Sequence, residues 1–177
     1  MPIIREPHSN QSGFSLVDTL IGMVILGVGL LSLALAFSQG MIIMSTSHYH
    51  EIAKQKASEA IESVTSARDT RVITWAQIRN AGNGGIFLDG PQSLRNPGAD
   101  GLVNTADDGA VDFETLPGPD GVLGNGDDVV FPLNNFTREI RITVLATNLR
   151  QILVIVTYTI GGVTRTYQLT SYISSFA

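Results

Sequence analysis

The 177 residues predict an α+β fold: a long N-terminal α-helix, membrane-spanning in its first half, packed on a C-terminal antiparallel β-sheet. Three observations predict it. An uncharged run spans Thr19 to Phe37. Apolar residues then recur every three or four positions from Tyr49 to Val64. The C-terminal third alternates apolar and polar residues with turn signals between its runs.

The uncharged run comes first. Nineteen helical residues at about 1.5 Å each span roughly 28 Å, close to the hydrocarbon thickness of a bilayer. A secretory signal has a shorter apolar core followed by a cleavage site of small residues; this run flows on without a break. Within it Gly22, Gly27 and Gly29 each weaken a helix by about 1 kcal/mol relative to Ala, and small residues also allow close helix approach in a bundle. Asp18, just ahead of the run, is a carboxylate where lipid makes charge expensive, and such residues are usually functional.

Ser45-Thr46-Ser47 ends the apolar stretch but holds no helix breaker. Tyr49, Ile52, Ala53, Ala57, Ala60, Ile61 and Val64 form one face, and Glu51, Lys54, Gln55, Ser58, Glu59 and Glu62 the other. One helix is therefore expected from about Phe14 to Arg68. "TWAQIRN" (74–80) predicts a short helix stopped by the glycines of 82–85. "REIRITVLAT" (138–147), "RQILVIVTYTI" (150–160) and "VTRTYQLTSYI" (163–173) predict a three-stranded meander, with Ile140, Ile142 and Val144 inward and Gly161-Gly162 as a tight turn. Val129-Val130-Phe131 is expected as an added edge strand.

The N-terminal residues carry a family resemblance. Gly13-Phe14-Ser15-Leu16-Val17-Asp18 resembles the processing site of type IV pilins and type II secretion pseudopilins. The apolar segment that follows, with Met23-Val24-Ile25-Leu26 and Gly29-Leu30-Leu31, is similar to the PilV/GspI-like minor pilins and pseudopilins. The resemblance covers about residues 8 to 68. It implies a pilin-like fold and this organisation: a prepilin leader peptide at 1–13, a transmembrane or filament-core helix at 14–40, and a periplasmic or extracellular head at 41–177. It implies that a prepilin peptidase cleaves between Gly13 and Phe14 and that Phe14 becomes the methylated N-terminus. Asp18 stands where the family normally has Glu and is implied to neutralise a neighbouring subunit's free amine during assembly. The implied partners are prepilin peptidase, other pilin or pseudopilin subunits, an inner-membrane assembly platform and the membrane itself. The expected function is that of a minor pilin of a type IV pilus. A type II secretion pseudopilin and a signal-anchored calcium-binding surface protein that does not polymerise stand as alternatives.

Residues 96–130 form a loop with eight acids and no base, half of the 16 acids in the chain. It holds an internal repeat: "PGADGLVNTADD" (97–108) aligns with "PGPDGVLGNGDD" (117–128) at an offset of 20. Such charge density favours a cation. Calcium takes six to eight hard oxygens, and Asp100, Asn104, Asp107 and Asp108 supply one candidate set, Asp120, Asn125, Asp127 and Asp128 the other. The spacing is not that of an EF-hand. A solvated acidic loop is the plainer alternative.

Other chemistries lack support. The net charge of −5 argues against a nucleic-acid surface, and the absence of cysteine excludes disulfides and thiolate sites. His48 and His50 do not share a helix face. No Gly-rich phosphate loop follows a strand, and no nucleophile–base–acid set can be assembled, so no enzyme and no organic cofactor are expected. Asn135-Phe136-Thr137 fits a glycosylation acceptor, and Trp75 is read as a core residue.

Overall fold

The computed structural model describes residues 15–176. The chain divides into two units, one ending at Ser45 and the other beginning at Thr46. One helix, α1 (Leu16–Asp69), contributes to both, and no proline interrupts its 54 residues. In the first unit Leu20, Leu26, Leu31 and Phe37 are each more than half exposed, with apolar side chains on every side of the helix. A helix apolar all round needs apolar surroundings. This one, near the N-terminus, is long and apolar enough to cross a membrane.

In the second unit α1 becomes one-sided. Ile52, Ala53, Ala57, Ala60, Val64 and Ala67 are buried at three- to four-residue spacing. Four of the six are alanine, so the helix backbone can sit close to what it covers. That is the inner face of a four-stranded antiparallel sheet ordered β1-β4-β5-β6, where β1 is Gln92–Ser93, β4 Phe136–Ala146, β5 Leu149–Ile160 and β6 Val163–Ser174. Ile140 and Ile142 of β4 and Ile152, Val154, Val156 and Tyr158 of β5 point inward. Tyr49 stacks on Phe136 with centroids 5.6 Å apart, and Phe136 stacks on Tyr158 at 5.4 Å. Gly161 and Gly162, at φ 56° and 78°, close the β5–β6 hairpin in the left-handed conformation that a two-residue turn demands.

The structure corrects four expectations. The sheet has a fourth strand, because β1 pairs with β4 through Gln92↔Arg138 and Ser93↔Thr137. Residues 129–131 do not edge this sheet. They lie in β3 (Val129–Pro132), which pairs with β2 (Phe113–Leu116) as a separate hairpin. Val144 keeps the inward phase yet is 49% exposed, since the register shifts between Val144 and Ala146 and the cover ends there. The short helix of 74–80 reduces to a 3₁₀ turn, Trp75–Gln77, followed by another at Ala81–Asn83 that ends on left-handed Gly84.

β1 is too short to cover the outer edge of β4. Two asparagine amides continue its work. Asn80 Nδ2 donates to Ile140 O at 2.7 Å, and Ile142 N donates to Asn80 Oδ1 at 2.8 Å. Asn104 Nδ2 donates to Arg138 O at 2.8 Å. Buried strand-edge groups are thus paired without another strand.

Candidate functional site

The repeat read in the sequence is also a repeat in three dimensions. Leu102 N donates to Asp100 Oδ1 at 2.8 Å, and Val122 N donates to Asp120 Oδ1 at 2.8 Å. Asn104 N donates to Asp108 Oδ2 at 2.9 Å, and Gly124 N donates to Asp128 Oδ2 at 2.6 Å. Gly101 and Gly121 each bond back to Gly98 O and Gly118 O. The closing carboxylates explain the first glycine of each copy. A Cβ on Gly98 would lie 2.6 Å from Asp107 O, and one on Gly118 would meet Asp127 in the same way. The motif is a loop that folds on its own aspartates, which accept backbone N–H groups that would otherwise lack partners.

The two copies differ in what they touch. Leu102, Val103 and Asn104 of the first are fully buried, whereas Val122 and Leu123 of the second are 57% and 59% exposed. Asn104 sits at φ 62° with its amide facing Arg138; its counterpart is Gly124, at φ 96°. The first copy therefore anchors the loop region in the core, and the second stands at the surface.

The predicted ligand sets are only partly convergent. In the first copy Thr105 Oγ1 donates to Asp107 Oδ1 at 2.8 Å and Asp108 Oδ1 at 3.0 Å, and Asp100 N donates to Asp107 Oδ2 at 3.5 Å. The Thr105 hydroxyl is the main reason that Asp107 titrates below the usual carboxylate range. Asn104 turns away, with its Oδ1 accepting Arg138 Nε at 2.8 Å. In the second copy Asn125 Nδ2 donates to Asp120 Oδ2 at 2.6 Å and Asp127 N donates to Asn125 Oδ1 at 3.3 Å. Asp128 Oδ1 is buried without a hydrogen-bond partner. Among the described residues no three acidic or histidine side chains are grouped to hold a metal ion.

A charged cluster that sequence reasoning missed lies behind the first copy. Lys56 of α1 pairs with Asp112 at 2.5 Å and Glu59 at 2.9 Å. Arg138, 1% exposed, donates to Asn104 Oδ1 and, at 3.4 Å, to Lys56 O. Burial alone lowers the Lys56 pKa, but hydrogen bonds to Asp112 and Glu59 outweigh it and hold the amine above its ordinary value. Burial pushes Arg138 down, opposed by the charges of Glu59, Asp108 and Asp112. One signal was available: Arg138 falls in the inward phase of β4, where an isolated base requires partners.

Of the processing residues, Gly13 and Phe14 lie outside the described residues. Asp18 lies in the first turn of α1, where the unpaired N–H groups of the helix favour an acid. His48 lies 3.8 Å from Glu114, and His50 Nδ1 lies 3.5 Å from the Tyr158 hydroxyl, so the two face different neighbours. Asn135 donates its amide to Thr159 O at 2.9 Å, and Phe136 beside it is buried, which ties the acceptor tripeptide into the sheet.

These elements define a class: an α+β protein whose single long helix is apolar enough to cross a membrane in its first half and lies against an antiparallel sheet in its second. No family model, curated protein or solved structure matches the chain.

Proposed function

We propose that this chain is a minor pilin of a type IV pilus, cleaved by prepilin peptidase between Gly13 and Phe14 and assembled into, or priming, a helical filament. The observation that carries the reading is the uncharged stretch of α1 with Asp18 as the acid in its first turn. Such a segment has two uses in sequence. It holds the subunit in the inner membrane, and it then exchanges lipid for neighbouring helices. The mechanism is packing, with the assembly platform and other pilin subunits as partners and no bond chemistry by the chain itself. A type II secretion pseudopilin would share every one of these steps, and neighbouring genes for a retraction motor or for an outer-membrane secretion channel distinguish the two. Intact-mass measurement tests the common core. Loss of residues 1–13 with one added methyl group is expected; retention of the leader sinks it.

The duplicated loop supports calcium as an added ligand, at the second copy in particular. Asp120, Asn125 and Asp127 offer hard oxygens at the surface, and Asp128 Oδ1, buried beside them without a hydrogen-bond donor, is an acceptor in want of a cation. In the first copy Asp108 Oδ1 already accepts from Thr105, and Asn104 is engaged by Arg138. Bound calcium would stiffen the second loop. Titration calorimetry with millimolar Ca²⁺ should give saturable heat that Asp128→Asn removes. Calcium binding with an uncleaved leader would instead favour the anchored surface protein that does not polymerise.

A further inference from the structure

We propose that Asn125 is a site of spontaneous deamidation, where the backbone of Gly126 converts the side-chain amide to a carboxylate and changes the charge of the second acidic loop. The inference depends on neither the filament reading nor the calcium reading. In an Asn–Gly pair the main chain can attack the side chain that precedes it. Glycine has no Cβ to obstruct closure of the cyclic imide, and its backbone turns freely into the conformation that closure needs. The chain holds two such pairs, Asn83-Gly84 and Asn125-Gly126. All four residues are exposed, so access of water does not separate the pairs. Hydrogen bonding does.

At the first pair the attacking nitrogen is held. Gly84 N donates to Ala81 O at 3.0 Å, closing the 3₁₀ turn of Ala81–Asn83, and Asn83 N and Gly85 N both donate to Asn80 O, at 2.9 and 3.1 Å. Attack by Gly84 would break that turn. At the second pair the nitrogen is free: Gly126 N–H makes no hydrogen bond among the described residues, and a Cβ built on Gly126 meets nothing within 4 Å. The side chain is oriented instead. Asp127 N donates to Asn125 Oδ1 at 3.3 Å, which folds the amide back over the Gly126 peptide and places a donor on the oxygen where negative charge develops. Nδ2, the leaving group, donates to Asp120 Oδ2 at 2.6 Å. The first copy of the repeat has Thr105-Ala106 at the equivalent positions and no amide to lose there.

The reaction balances with water alone. Gly126 N gives its proton to a solvent base and bonds to Asn125 Cγ. Nδ2 gains a proton and leaves as ammonia, and a succinimide remains. Water then opens the ring at either carbonyl, giving aspartate or isoaspartate at position 125. In the aspartate product a carboxylate stands where the amide donated to Asp120, so a hydrogen bond becomes a like-charge contact. Either product adds one negative charge to the loop, and the step does not reverse.

The test uses the full chain in neutral detergent, held at pH 8 and 37 °C and sampled over weeks by peptide mass mapping, with isoaspartyl methyltransferase labelling to mark the isoaspartate product. The peptide with Asn125 should gain the mass difference between O–H and N–H₂ several-fold faster than the peptide with Asn83. In urea the two rates should converge, because unfolding frees the Gly84 nitrogen. Gly126→Ala should slow the conversion many-fold in a folded protein, since Gly126 lies outside the left-handed region and has open space around it. Conversion of Asn83 as fast as Asn125 in the folded chain, retention of the Asn125 amide, or an unchanged rate in Gly126→Ala overturns the inference.

Discussion

Asn104 and Arg138 hold each other twice: Arg138 Nε donates to Asn104 Oδ1 at 2.8 Å, and Asn104 Nδ2 donates to Arg138 O at 2.8 Å. The pair joins the first acidic loop to β4 in the core. It also separates the two copies of the repeat, because the position equivalent to Asn104 is Gly124. Asn104→Gly should keep the left-handed backbone and lose only the amide. Leaving a buried guanidinium N–H unpaired is expected to cost about 3 kcal/mol. Asn125→Gly, in the exposed copy, should cost under about 0.5 kcal/mol. Urea denaturation of the two variants reads the difference directly, and equal losses would contradict the assigned asymmetry.

The Lys56–Asp112 pair predicts a stability change at high pH. The Lys56 pKa lies above its ordinary 10.5. Its stabilisation is therefore complete below that value and is lost as pH rises through the folded-state pKa. Lys56→Met removes this dependence and leaves Asp112 without its cation, at a cost of about 3 kcal/mol near neutral pH. Melting temperatures from pH 9 to 12 should converge between parent and variant. Parallel curves across that range would show that Lys56 is not the group responsible.

The alanine face of α1 predicts a steric effect. Ala57 is fully buried among the residues that join helix to sheet. Ala57→Leu adds three carbons where the interior is already close-packed and should destabilise the head by about 2 to 3 kcal/mol. Ala57→Ser changes volume little, and calorimetry should place it between parent and Ala57→Leu.

What was legible in the sequence follows from periodicity. The 3.6-residue stripe from Ile52 to Val64 and the period-two runs of β4 to β6 each report a buried face, so helix, hairpins and inward residues could be read directly. The two-residue β1 could not, since such a strand has no period and exists because Arg138 and Thr137 offer it an edge. β3 was visible as a run of Val and Phe, but its partner depended on the loop between the two repeats. The repeat itself was plain, yet its meaning was not. The same Asp template anchors the core in one copy and stands in solvent in the other, a difference set by Leu102 and Asn104 meeting the sheet. The inward arginines were the neglected signal: Arg138 and Arg150 both share phase with isoleucines.

Asp18 tests the filament reading most directly. The carboxylate begins α1, within reach of the helix dipole, and the uncharged run starts one residue later. Holding an ion in hydrocarbon costs several kcal/mol, more than the dipole stabilisation of about 0.3 to 1 kcal/mol, so in a filament core, where Asp18 would leave water, the helix end alone would not account for the charge. A free amine on Phe14 of a neighbouring subunit would. Asp18→Ala should then leave the subunit inserted in the membrane and processed, but absent from sheared filaments. Asp18→Asn should do the same, because it keeps the shape and loses the charge. Asp18→Glu should restore incorporation, with one more methylene of reach. Immunoblots of membrane and filament fractions separate these outcomes. Full incorporation of Asp18→Ala would mean that the acid serves only the helix terminus, and the pairing role would fall.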